Sequence, residues 1–114
     1  MRKDRVRLQD ILEAIEKIEQ YTDRGRQAFD TDEMLQVWVV YHLQILGEAA
    51  SKLSPELRIR YPDVPWTQIV GMRNILVHDY FGIDLDVVWT VIERDLLQLK
   101  PQISAILCDL EDDV

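Results

Sequence analysis

The residues with the most chemistry in the shortest span are Arg73-Asn74-Ile75-Leu76-Val77-His78-Asp79-Tyr80-Phe81-Gly82. A guanidinium, an amide, an imidazole, a carboxylate and a phenol lie within ten residues of one another. Arginine holds a phosphate through its planar fork and stabilises charge growing on it. Histidine serves as acid or base near neutral pH. At a helix C-terminus and beside Asp79, His78 is biased towards its cationic form. These types suit cleavage of a phosphodiester without a metal, in which a ribose 2′-hydroxyl attacks its own 3′-phosphate and leaves a cyclic phosphate and a 5′-hydroxyl. Two other readings stay open on residue type alone. The Arg/His pair can recognise a phosphate without cleaving anything, or it can bind carbonyls and carboxylates at a helix end while Tyr80 packs as core.

The element that must position these groups is a helix from near Trp66 to His78, stopped by Gly82. At about 100° per residue, Ile69, Met72 and Leu76 share a core arc, and Arg73 sits beside it. Gly71, Asn74 and His78 fall on nearly the opposite side, with Gly71 leaving room for a groove floor. Arg73 and His78 are about 140° apart on such a wheel. A common cleft therefore needs the long reach of the arginine or a second subunit across a two-fold axis.

Further helices support this one. Leu8, Ile11, Leu12, Ile15 and Ile18 form a helical stripe between about Arg5 and Tyr21, with a stop at Asp23-Arg24-Gly25. Asp30 and Glu33 have the spacing of a capping box for a second helix reaching about Leu53. That helix is apolar around most of its circumference and needs cover on several sides, from a second subunit as well as from its own chain. Ser54-Pro55-Glu56 opens a short helix through Arg60, as N-cap, first-position proline and first-turn acid. The prolines of Tyr61-Pro62-Asp63-Val64-Pro65 keep the next stretch from helix. Asp84 caps a last segment with Leu85, Val88, Trp89, Ile92, Leu96 and Leu99 at helical spacing, which Pro101 is predicted to kink or break before Ile103, Ile106, Leu107 and Leu110 resume the stripe. The fold class that follows is all-α: an up-and-down bundle of four to five helices in a single domain spanning residues 1–114.

Composition narrows the function. The 114 residues carry a formal net charge of −8, with 47% hydrophobic and 30% charged residues. A globular chain follows, and nonspecific coating of nucleic acid is disfavoured because phosphates need neutralising cations. The basic residues Arg2, Lys3, Arg5 and Arg7 crowd the start, and Asp109, Glu111, Asp112 and Asp113 the end, so a local basic surface is still available. The apolar run Val37–Tyr41 is far short of the roughly 20 residues needed to cross a bilayer. With no apolar leader and a single cysteine, a cytoplasmic protein without disulfide, metal or cofactor is predicted. Cys108 reads as a small buried group. His42 reads as a hydrogen-bonded structural residue, and Trp38, Trp66 and Trp89 as packing residues rather than base-stacking platforms. Glu48 reads either as a surface charge or as the ion-pair partner of Arg73.

The stretch Arg73-Asn74-Ile75-Leu76-Val77-His78-Asp79-Tyr80 resembles the R-N-x-x-x-H-x-Y signature of the HEPN superfamily, and specifically its HepT-like ribonuclease toxins. Leu46-Gly47-Glu48-Ala49-Ala50, Pro65-Trp66, Ile69-Val70-Gly71-Met72 and Trp89 extend the resemblance over nearly the whole chain. The resemblance implies a homodimeric helical bundle whose two signatures line one cleft, and metal-independent RNA cleavage in a type VII-like toxin–antitoxin system. It carries over Arg73 and His78 as catalytic, with Asn74 as their polar neighbour; Asp79 and Glu48 are the candidate supporting residues. It also implies a partner, a minimal nucleotidyltransferase antitoxin that transfers AMP to Tyr80. A non-catalytic nucleotide-binding or interaction subunit of such a complex is the alternative.

Overall fold

The computed structural model describes the backbone of residues 2–77 and 84–112, and the side chains within 3–73 and 84–111. Among these residues the chain is helical and has no strand. In order come α1 (Arg2–Thr22), α2 (Arg26–Thr31), α3 (Glu33–Ser51), α4 (Pro55–Arg60), α5 (Trp66–Val77), α6 (Leu85–Thr90), a π-helical turn (Val91–Asp95) and α7 (Leu96–Asp112). Helix α3 is central: it packs against α1 on one side and α5 on another, while α1 also packs against α7. Leu8, Ile11, Ile15 and Ile18 of α1, Val39, Leu43 and Leu46 of α3, and Ile103 and Ile106 of α7 are all buried in the core between these helices.

The helix ends follow local chemistry. α1 ends at Thr22, and Gly25, whose φ of 93° lies where L side chains are strained, turns the chain into α2. The Ser54 side chain accepts from Leu57 N–H and Pro55 takes the first turn of α4, as the sequence predicts. Asp84 accepts from Val87 N–H at the start of α6. Ser54 is also held from outside its own helix: buried Asp4 accepts from its backbone N–H at 2.8 Å and from its hydroxyl at 2.5 Å. One of the acids in the basic N-terminal cluster is thus a tertiary clamp. The two charged ends also meet, through an Arg5–Glu111 ion pair at 3.1 Å.

Four expectations need correction. Asp30 does not cap α3; it lies within α2 and pairs with Arg26. The cap is Asp32, which accepts from Leu35 N–H at 3.2 Å. The short helix α2 displaces the start of α3 by two residues, and no capping box forms between Asp30 and Glu33. Pro101 does not break its helix, because α7 runs through it to Asp112. The carbonyl deprived of a partner belongs to Leu97, which is 66% exposed, so water can take the missing donor's place. The irregularity sits earlier, where Leu96 N–H bonds to Val91 C=O across the π turn. Eight residues carry an ideal α-helix about 80° past two full turns, and the wider turn absorbs part of that excess, which keeps Val88 and Leu96 both buried. Cys108 is exposed rather than buried. His42 is buried as expected, but its Nε2 has no hydrogen-bond partner. Its ring contacts are aromatic, with centroids 4.4 Å from Trp38 and 5.1 Å from Tyr41.

Candidate functional site: an arginine cleft between three helices

The site begins with a glycine. Where α3 crosses α5, a Cβ on Gly47 would stand 3.0 Å from Arg73 Cβ and 3.2 Å from both Arg73 N and Ile69 O. Two of those neighbours are backbone, so any larger residue would push the two helices apart by a few tenths of an ångström. The close crossing brings Arg73 of α5 over the surface of α3, where its guanidinium donates to Glu48 Oε2 at 2.8 Å and to Ser51 Oγ at 3.4 Å. The Ser51 hydroxyl in turn donates to the Glu48 carbonyl at 2.6 Å. The guanidinium is therefore oriented by a carboxylate and a hydroxyl from one turn of α3, and its side chain stays 35% exposed. That exposure leaves donors for an anion.

The hydrogen bond from Arg73 holds the Glu48 carboxyl below its ordinary pKa, and the charges of Arg73, Lys52 and Arg7 add to the effect against the opposing cost of burial. Glu48 is consequently an anion across the neutral range and keeps Arg73 paired. Around the pair lies an open cleft of about 440 Å³ between α1, α3 and α5, whose walls include Arg7, Asp10, Tyr41, Glu48, Lys52 and Arg73.

The structure thus brings Arg73 and Glu48 together, which resolves the open reading of Glu48. Asn74 follows on α5, with its side chain outside the described residues, as are His78, Asp79 and Tyr80 and the expected stop at Gly82. A Cβ on Gly71 would meet nothing within 4 Å, in keeping with the open space predicted there. The sequence does not single out Ser51, Lys52 or Tyr41 as site residues, and it offers Arg7 only as part of the basic cluster at the start. A signal existed for two of them, since Ser51 and Lys52 stand three and four residues after Glu48 and so share its helix face. Nothing local links Arg7 or Tyr41 to Arg73. His42 lies outside the cleft; burial, and secondarily Lys17, pushes its imidazole below the usual range, against an upward pull from Glu13. Trp66 is buried and donates to Tyr61 C=O at 2.9 Å, Trp38 donates to Lys17 C=O at 2.9 Å, and Trp89 packs against Phe29 with the rings tilted by 37°. All three act as packing residues.

A helical bundle presenting an arginine with the downstream spacing Arg73-Asn74-x-x-x-His78-x-Tyr80 defines a class before it defines a protein: the HEPN-type bundles. The family described as ribonuclease HepT-like matches residues 11–106, and the chain belongs to it. Among its relatives, a Methanocaldococcus jannaschii protein named "Gamma-glutamylcyclotransferase and putative RNase" is 42% identical over 97% of this chain and 51% of its own length. The chain thus spans about half of that relative. A Thermococcus cleftensis protein named "Probable ribonuclease HepT" is 37% identical over 82% of this chain and 86% of its own. No solved structure matches the chain at a significant level.

Proposed function

We propose that this protein is a toxin endoribonuclease that cleaves RNA without a metal, at a cleft completed by two copies of the chain. The observation that carries the reading is Arg73, held by Glu48 and Ser51 on an open cleft while still exposed, in the helix that leads into His78. In this reading Arg73 grips the scissile phosphate and neutralises the charge of the transition state. His78 takes the 2′-hydroxyl proton or returns one to the leaving 5′-oxygen. Asn74 and Asp79 support them. The cognate nucleotidyltransferase silences the enzyme by placing AMP on Tyr80, because the added phosphate competes with RNA for the same cations. The family and the names of its relatives support ribonuclease chemistry. The exposed Met34 and Val37 on α3 support a second copy as the cover for that end of the helix.

Purified protein incubated with RNA in EDTA tests the activity. Cleavage that yields 2′,3′-cyclic phosphate ends and disappears in Arg73→Ala and in His78→Ala is the expected result. Absence of cleavage by well-folded wild-type protein, with RNA binding retained, would establish the non-catalytic alternative. For the modification, protein made with and without the nucleotidyltransferase should differ by the mass of AMP. The addition should map to Tyr80 and vanish in Tyr80→Phe.

A further inference from the structure

The solvent face of α3 changes character along its length. Met34, Val37, Tyr41, Gln44, Glu48 and Lys52 fall within one arc of about 80° at 100° per residue. Its first half is apolar and exposed, Met34 at 81% and Val37 at 58%. Its second half, from Tyr41 on, enters the cleft that holds Arg73. Across the cleft α1 contributes Arg7. The cations there are held unequally. Arg73 is tied to Glu48 at 2.8 Å, whereas Lys52 stands 3.9 Å from Glu48 and Arg7 stands 3.8 Å from Asp10. Arg7 and Lys52 are also 39% and 50% exposed. Loose exposed pairs of this kind contribute little to stability and release their cation readily to a phosphate. Tyr41 is 57% exposed and lines the cleft, and Gln44 beside it carries both a donor and an acceptor for a base edge. In a chain of net charge −8, this cleft has three cations against two acids.

We infer that Arg7, Lys52, Tyr41 and Gln44 form a nucleotide subsite beside Arg73, which takes the RNA nucleotide flanking the scissile phosphate. Arg7 and Lys52 neutralise its phosphate, Tyr41 stacks on its base and Gln44 contacts the base edge. The open cleft of about 440 Å³ has room for one nucleotide. The subsite rests on the ribonuclease reading for its purpose, but its occupancy can be measured without catalysis.

The test uses full-length His78→Ala protein and a fluorescent single-stranded RNA, with binding followed by anisotropy from low to moderate salt. Arg7→Gln with Lys52→Gln should weaken binding and reduce the slope of log Kd against log salt by about 0.7, the value for one phosphate no longer neutralised on a single strand. Tyr41→Ala should weaken binding roughly tenfold, while Tyr41→Phe, which keeps the ring, should not. A control of equal charge, Arg5→Gln with Arg94→Gln, removes cations outside the cleft and should leave the slope unchanged. In the His78-intact background, the same subsite substitutions should raise KM more than they lower kcat. If the double cleft variant binds RNA with wild-type affinity and slope, the subsite is overturned even where wild-type protein cleaves RNA. Should wild-type protein bind RNA through these residues without cleaving it, the subsite stands and the nuclease reading falls. RNA binding by none of the folded proteins overturns both. Sedimentation of each variant closes the other route: substitutions that alter self-association but not RNA affinity assign the cleft to a second copy and overturn the subsite.

Discussion

The orientation of one guanidinium governs the site. Arg73 projects from α5, but the groups that direct it, Glu48 and Ser51, belong to α3, so its aim depends on an ion pair between helices. Glu48→Gln keeps the shape and removes the charge. Activity should fall roughly 10- to 100-fold, the cost of a slightly misdirected catalytic group, while circular dichroism stays that of wild type. Unchanged kcat/KM in Glu48→Gln would mean that Arg73 finds its direction without the pair. pH separates this pair from His42. Because the Glu48 carboxyl is held below its ordinary value of 4.5 in the folded chain, the stability it contributes is present above that pH and is lost as pH falls through the lower folded value. His42 is likewise depressed from 6.5, here because burial disfavours the cation. The unfolded chain therefore takes up its proton first, and stability declines as pH drops below about 6.5, by at most about 1.4 kcal/mol per pH unit. Urea unfolding at pH 7.5 and 5.5 should show this loss in wild-type protein and a smaller one in His42→Leu. Equal losses in the two would assign the acid sensitivity elsewhere.

At the scale of elements, the two glycines flanking the site make opposite demands. Gly47 lies in the tight crossing of α3 and α5, where added methyl hydrogens and carbon would press on the Arg73 and Ile69 backbone. Alanine there gains about 1 kcal/mol of helix propensity but incurs an overpacking cost of about 1–3 kcal/mol. Since α5 must move and carries Arg73 with it, Gly47→Ala should lower the melting temperature by several degrees and reduce activity more than stability. Gly71 is also helical but faces open space. Gly71→Ala should raise stability by up to about 1 kcal/mol in the isolated chain. If instead it weakens self-association, a partner packs against that turn of α5. Thermal unfolding at several protein concentrations distinguishes the two outcomes.

For the whole molecule, charge and apolar surface oppose one another. Two chains of net charge −8 repel, and in the proposed dimer the exposed Met34 and Val37 of α3 supply apolar attraction against that repulsion. Raising salt screens that repulsion and should tighten self-association, whereas RNA binding should weaken over the same range as counterion release loses its drive. Val37→Glu, placed on the exposed face, should abolish the dimer measured by sedimentation and, where the cleft needs two copies, the nuclease activity with it. Persistent dimers in Val37→Glu would move the interface off α3.

The sequence by itself determined the long helices but not the short α2, because apolar spacing and end chemistry act over a few residues: the stripe from Leu8 to Ile18, the Ser54-Pro55 start and the Asp84 cap are all where local physics places them. It also determined the family, through the Arg73–Tyr80 signature and the Gly47-Glu48 segment before it. Where two local solutions competed, the tertiary structure chose. Asp32 rather than Asp30 caps α3 because α2 occupies the preceding turn, and α7 continues through Pro101, where the residue that loses its donor, Leu97, is exposed. The cleft itself depends on residues far apart in the chain, with Arg7, Glu48 and Arg73 brought to one surface by the glycine crossing at Gly47. Helix propensity and capping are local free energies that can be read along the sequence. The meeting of an arginine on one helix with a carboxylate on another depends on how closely two backbones approach, and only the packed molecule sets that distance.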